Sequence, residues 1–231
     1  MTLIQSIAPL NKAAVVVLIG GSAIMMEEWK AAVPAILHAF YPGMEGGTAI
    51  SRVLFGDVNP GGKLPFTIPA DLGHLPEFDR EAEQVEYGLH HGYARLEKEG
   101  HQPAFAFGFG LSYTTFELAN PRFAAVGGDQ IVARVDVKNT GKVPGDEVIQ
   151  FYVGFENSSV DRPKKLLRGF RKVGLKPGET KEVVITCPVD RLRWYNPQTC
   201  AWELEAIEYP VYIGTSSRAG DLLSGTLFLG A

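Results

Sequence analysis

The chain has 231 residues, 45% of them hydrophobic and 21% charged, with a formal net charge of -4. This length fits one large domain or two ordinary ones, and the composition is globular rather than disordered. The slight acidic excess offers nothing to a phosphate backbone, so nucleic acid is not an expected partner. Two cysteines, Cys187 and Cys200, are too few for a disulfide framework. They flank a candidate hairpin and read as unpaired thiols, pairing in an oxidising compartment being the alternative.

The N-terminal run Ala13–Met26, "AAVVVLIGGSAIMM", has the look of a signal-peptide core. It lacks a basic flank and a clear small-residue cleavage site, and it is too short to span a bilayer. It reads instead as a buried strand. No membrane partner is expected; the compartment stays open, with the cytoplasm favoured.

Ala13–Ile19 is a continuous Val-rich run, as expected for a strand buried on both faces. Glu27–Val33 predicts a short helix closed by Pro34, and Ala35–Tyr41 a second buried strand. Thr48–Phe55 is amphipathic, with Ala49, Ile50, Val53 and Leu54 on one face. Glu45 precedes it, where a carboxylate meets free backbone N–H groups. Asn59–Gly62, "NPGG", is a turn signal. In "KLPFTIP", Leu64, Phe66 and Ile68 alternate while Pro65 and Pro69 remove ladder donors, which predicts an edge strand. The order strand, helix, strand, helix, strand gives an α/β fold with a mainly parallel sheet. From Asp71 to His101 the pattern dissolves into a long polar segment, expected to be a loop. His90 and His91 have no third ligand at a recognisable spacing, so no metal or other cofactor is expected.

The second half reads as all-β. Ile131, Ala133, Val135 and Val137 alternate onto one face. "EVIQFYVG", "KKLLRGFRKVGL", "KEVVITCPV", "YPVYIGTSS" and "SGTLFLG" follow, with "LRWYNPQTCAWELE" as a hairpin. About seven strands between turn signals predict a β-sandwich. The division is placed between residues 1–117 and 118–231.

"AILHAFYPGMEGGTAISRVLFGDVNPGGKLPFTIP" strongly resembles the C-terminal α/β sandwich domain of glycoside hydrolase family 3, which includes β-glucosidases and β-xylosidases. "FAFGFGLSYTTFEL" resembles the family's link into its last domain. "EVIQFYVGFENSSVDRPKKLLRGFRKVGLKPGETKEVVI" resembles its fibronectin type III-like domain. The similarity runs from about Asn11 to Leu229, so the resemblance implies the second half of the α/β domain followed by the fibronectin-like sandwich. Its motif residues here are Tyr41, Gly43, Glu45, Gly46, Gly47, Gly56, Asp57, Pro60, Gly62, Lys63 and Pro65, expected as scaffold rather than catalytic machinery. The resemblance also implies that the aspartate nucleophile lies on a TIM-barrel part with no counterpart here. The acid/base glutamate lies upstream of the first motif, and Glu27, Glu28 and Glu45 do not sit in its segment. A retaining glycosidase needs two carboxyl groups about 5–5.5 Å apart, and local pairs such as Glu27–Glu28 and Glu81–Glu83 read as solvated faces. No catalytic residue is therefore assigned.

The expectation is a C-terminal portion or small subunit of a retaining β-glycosidase, acting on a β-linked glycoside only with its barrel-bearing partner, or else a truncated gene product. Trp29 is a weak candidate for sugar stacking, with core packing the competing reading; the loops Pro42–Gly46 and Glu86–Tyr93 are candidates for shaping substrate access. The alternative function is a non-catalytic carbohydrate-binding or structural module using Trp194, Tyr195 and Trp202. An independent enzyme with its site at the carboxyl ends of the α/β strands finds no nucleophile–base pair to support it.

Overall fold

Val15–Leu18 (β1) pairs in parallel with Ala35–His38 (β2), Val15 opposite Ala35 and Leu18 opposite His38. The structure, a computed structural model, describes residues 2–230. A short helix, Thr2–Ile7 (α1), precedes this pair, and Gly46–Leu54 (α2) follows it. Val16, Leu18 and Ile36 pack with Met26, Trp29 and Ile68 into a small apolar cluster. Yet Val15 is 43% and Ile19 61% exposed. The expectation of strands covered on both faces is thus not met within this chain.

Two further expectations in this half are corrected. Glu27–Val33 is no α-helix: Lys30–Ala32 form one 3-10 turn after Trp29, whose φ of -137° lies outside the helical range. Seven residues held by one buried indole do not repay helix nucleation. The "KLPFTIP" segment supplies only Ile68–Pro69 (β3), and it pairs antiparallel with Pro103–Phe105 (β4), not with the parallel pair. Pro65 and Pro69 cannot donate to a ladder, and Leu64 is held by Phe109 and Gly108 through backbone bonds of 2.9 and 2.8 Å. In the segment expected to be irregular, Tyr93–Glu99 (α3) forms a helix between Gly92 and Gly100.

The sandwich has seven strands. Phe116–Val126 (β5), Gln130–Asn139 (β6) and Thr180–Pro188 (β9) form one antiparallel sheet. Gly145–Gly154 (β7), Lys165–Leu175 (β8), Glu208–Gly214 (β12) and Leu222–Phe228 (β13) form the other, in the order β13-β12-β7-β8. The hairpin Trp194–Asn196 (β10) and Ala201–Glu203 (β11) is separate. Ile131, Ala133, Val135 and Val137 of β6 are fully buried, facing Ile149, Phe151 and Val153 of β7 and Val211 and Ile213 of β12 across one core. Cys187 is buried on β9 and Cys200 exposed beside the hairpin; both are free thiols.

Strand β7 departs from alternation because both of its faces are covered. Ile149, Phe151 and Val153 face the sandwich core. Gln150 and Tyr152 face the first half, where the Gln150 amide donates to the Gly108 carbonyl and the Tyr152 ring meets Tyr93 edge-on at 6.2 Å. Burial raises the Tyr152 and Tyr93 hydroxyl pKa values.

Candidate functional site

The motif residues separate into two places. Tyr41, Gly43, Glu45, Gly46 and Gly47 lie in the turn from β2 into α2, beyond the carboxyl ends of the parallel strands. In open α/β sheets this is the end where ligands bind. Phe40, at the start of the turn, has φ 53°, a left-handed conformation that strains an aromatic residue. Its carbonyl accepts from Gly20 N at 3.1 Å, which ties the two strand ends together. Phe40 also packs edge-on against Phe66 at 5.9 Å. Beyond it Tyr41 is 79% and Met44 102% exposed, and at the other end of α2 Phe55 is 86% exposed. Gly56 and Asp57 follow in the turn that ends α2 and are exposed.

Glu45 occupies the N-cap position of α2, but its carboxylate makes no capping hydrogen bond. This corrects the expectation that it satisfies backbone donors. Its φ and ψ of -87° and 13° leave the extended region from which cap side chains reach forward. Its backbone carbonyl accepts from Ala49 at 2.9 Å, and the side chain stands exposed.

Pro60, Gly62 and Lys63 lie elsewhere, at the seam between the two halves, while Pro65 is exposed beyond them. The Lys63 ammonium contacts the Glu147 carboxylate of β7 at 2.7 Å, with side-chain exposures of 12% and 8%. It also donates to the Gly110 carbonyl at 2.7 Å. The Asn59 carbonyl accepts from Ser112 Oγ and Tyr113 N, each at 2.8 Å, while its amide donates to the Pro144 carbonyl at 2.9 Å. The Tyr113 hydroxyl donates to the Val53 carbonyl at 2.7 Å, holding the end of α2 to the link.

The glycines of "FAFGFG" permit this closeness. A Cβ on Gly108, whose φ is +79°, falls 2.2 Å from Gln150 Oε1, and one on Gly110 falls 2.2 Å from the Gly62 carbonyl oxygen. At the far end of the seam, Lys165 of β8 pairs with Glu97 of α3. Desolvation raises the Glu97 carboxyl pKa, against the opposing pull of Lys165. Asp161 accepts from Lys98 at 3.0 Å and pairs with His90 at 3.1 Å. These two hold its carboxyl below its ordinary range.

Trp29 belongs to neither place. It is 3% exposed, and its indole N–H donates to the Met25 carbonyl at 3.2 Å, so no ring face is open to a sugar. Tyr195 and Trp202, directly opposite each other on the hairpin, are 48% and 64% exposed, but their rings meet at 65° and share no plane. Among the described residues no three His, Cys, Asp or Glu side chains gather as a metal site, and no helix is long and apolar enough to cross a membrane.

The glycosyl hydrolase family 3 C-terminal domain matches residues 1–113, and a fibronectin type III-like domain matches residues 147–217. The chain belongs to the C-terminal part of glycosyl hydrolase family 3. Thermostable beta-glucosidase B of Acetivibrio thermocellus is 42% identical over 94% of the chain and 30% of its own length. Beta-xylosidase of Formosa agariphila is 40% identical over 97% of the chain and 31% of its own. The solved beta-glucosidase of Kluyveromyces marxianus in complex with glucose superposes with a TM-score of 0.92 at 40% identity, over 100% of the chain and 28% of that structure. The chain thus spans about 30% of the length of the curated family 3 relatives it matches. In them the region is C-terminal within a larger enzyme, which implies a catalytic part N-terminal to it.

The seam partners Asn59, Glu147 and Gln150 were not foreseen from the sequence. The available signal was the polar Glu147 and Gln150 inside an otherwise apolar strand.

Proposed function

We propose that the chain is the C-terminal part of a retaining β-glycosidase, acting when its open face docks against a TIM-barrel part that supplies the aspartate nucleophile. The observation that carries this reading is surface area. A folded monomer of 25.1 kDa exposes about 10,300 Å² by size scaling. This chain exposes 13730 Å², about a third more, including apolar side chains at the β1 and β2 ends and along α2. Exposed apolar patches of this kind mark interaction sites, and two strands alone leave both edges of the parallel sheet unpaired.

In the docked enzyme the Phe40–Glu45 turn borders the approach of a β-linked glycoside, with Tyr41 and Met44 as its most exposed members. The other motif residues act as scaffold. The domains divide near residues 117 and 118, within two residues of Phe116, where β5 begins and pairs with β6 of the sandwich.

The test is a chimera in which this chain replaces the matching C-terminal part of the Acetivibrio thermocellus relative. The chimera is expected to hydrolyse aryl β-glucosides or β-xylosides, and neither part is expected to do so alone. Robust turnover by this chain alone, lost on a single Glu→Gln change, overturns the proposal.

A further inference from the structure

A cleft of about 620 Å³ lies along the seam, walled by α3 and Gln102 on one side and by the sandwich residues Glu156, Lys164, Tyr212 and Ser224 on the other. Its volume is in the range of small-molecule sites, which run roughly 300–1,000 Å³. Two features of its lining select a ligand class.

The first is charge. Glu97 is paired with Lys165, and Arg218 with Asp221 at 2.6 Å. His101, also in the lining, faces Glu99 at 3.5 Å, and Glu156 and Lys164, of opposite sign, remain on the same rim. A charged ligand gains nothing from a wall whose charges cancel, and its desolvation goes uncompensated. The second feature is hydrogen bonding. The Gln102 amide, the Lys164 ammonium and the Ser224 hydroxyl are exposed and have no side-chain partner among the described residues. The Glu156 carboxylate receives only a long contact from the Tyr212 hydroxyl, 3.4 Å. Donors and acceptors of both kinds therefore line the same cleft as the half-buried Tyr212 ring.

We infer that the seam cleft binds a neutral mono- or disaccharide, whose hydroxyl groups meet the amide, carboxylate, ammonium and hydroxyl while its C–H face lies on Tyr212. The cleft is built wholly within this chain, so the inference does not rest on docking to a barrel. A ligand touching both walls also stabilises the seam by mass action.

The experiment is a titration of the whole chain with glucose, xylose, cellobiose and xylobiose, read by amide chemical shifts. Saturable shifts at Gln102, Tyr212 and Ser224 are expected with at least one of these sugars. Tyr212→Ala is expected to weaken binding by about tenfold or more. Glu156→Gln and Lys164→Ala, at exposed positions that leave the fold intact, are expected to weaken it severalfold. No saturable shift up to ~100 mM, a shift pattern confined to other residues, affinity unchanged in all three variants, or preferential binding of glucose 6-phosphate each overturns the inference.

Discussion

The sandwich and the α/β half differ in how much of their apolar surface they bury themselves. The sandwich closes one core from two sheets, with the inward residues of β6, β7 and β12 fully buried. The α/β half has only Met26, Trp29 and Ile68 at comparable burial in its own cluster, and its strand ends and helix stand in solvent. The sandwich thus covers its own core, while the α/β half leaves apolar surface uncovered within this chain. What joins them combines polar contacts, a buried Lys63–Glu147 pair and a three-bonded Asn59, with the edge-on packing of Tyr93 against Tyr152. A seam of this type fixes geometry, because its bonds are lost unless both halves hold register.

Substitutions in each half and at the seam, and a change of pH, sharpen this contrast. Phe151→Ala removes a fully buried ring from the sandwich core and is expected to lower stability by about 3–5 kcal/mol. Leu54→Ala, at a position 40% exposed, is expected to cost under about 1 kcal/mol. Chemical denaturation measures both, and equal losses would erase the distinction between the halves.

At the seam, Lys63→Met strands the Glu147 carboxylate among buried groups. A loss of about 3 kcal/mol is expected, the low end for breaking a buried pair, because Val148 N still donates to Glu147 at 2.7 Å. The double change Lys63→Met with Glu147→Leu is expected to recover most of it. A double variant as unstable as the single one would show that the pair's charge complementarity is not what matters.

Asn59→Ala removes three hydrogen bonds at one position, with an expected loss of about 1–3 kcal/mol. The sharper readout is proteolysis. Cleavage within the α/β half should accelerate while the C-terminal fragment survives. Preferential survival of the N-terminal half would contradict the account.

The smallest effect concerns acid. Hydrogen bonds from Lys98 and then His90 depress the folded pKa of Asp161. A depressed carboxyl contributes stability that is present above its unfolded value, about 3.9, and is lost as pH falls through the lower folded value. The attachment of α3 to the β7–β8 loop should therefore weaken only below the ordinary carboxylate range. A carboxyl carbon titration of Asp161 centred at or above 3.9 would refute this.

Much of the fold was legible where one physical rule acted alone. The alternation of Ile131, Ala133, Val135 and Val137 reports a strand with one wet face, and the core follows from it. Legibility failed where two surfaces competed for the same segment. Residues 64–69 alternate like an edge strand, but the prolines bar them from a ladder and their partner is the 103–109 stretch, forty residues away. Helix α3 was missed because only seven residues separate Gly92 from Gly100, although Gly100 at φ 75° is a left-handed C-terminal cap. Glu45 has the right position for a cap and the wrong backbone angles, which no spacing rule reveals. The site-like turn at Phe40 was visible only as a motif, since strain is a property of coordinates.

The central claim is that the open α/β face is completed by a barrel-bearing part, and amide hydrogen exchange tests it most directly. In the chain alone, β1, β2 and α2 should exchange far faster than β6 and β7, through local opening of a half-covered layer. In the chimera with the Acetivibrio thermocellus N-terminal part, exchange in β1, β2 and α2 should slow by about tenfold or more, while β6 and β7 stay as they were. Equal protection of β1, β2 and α2 in both states would contradict the account.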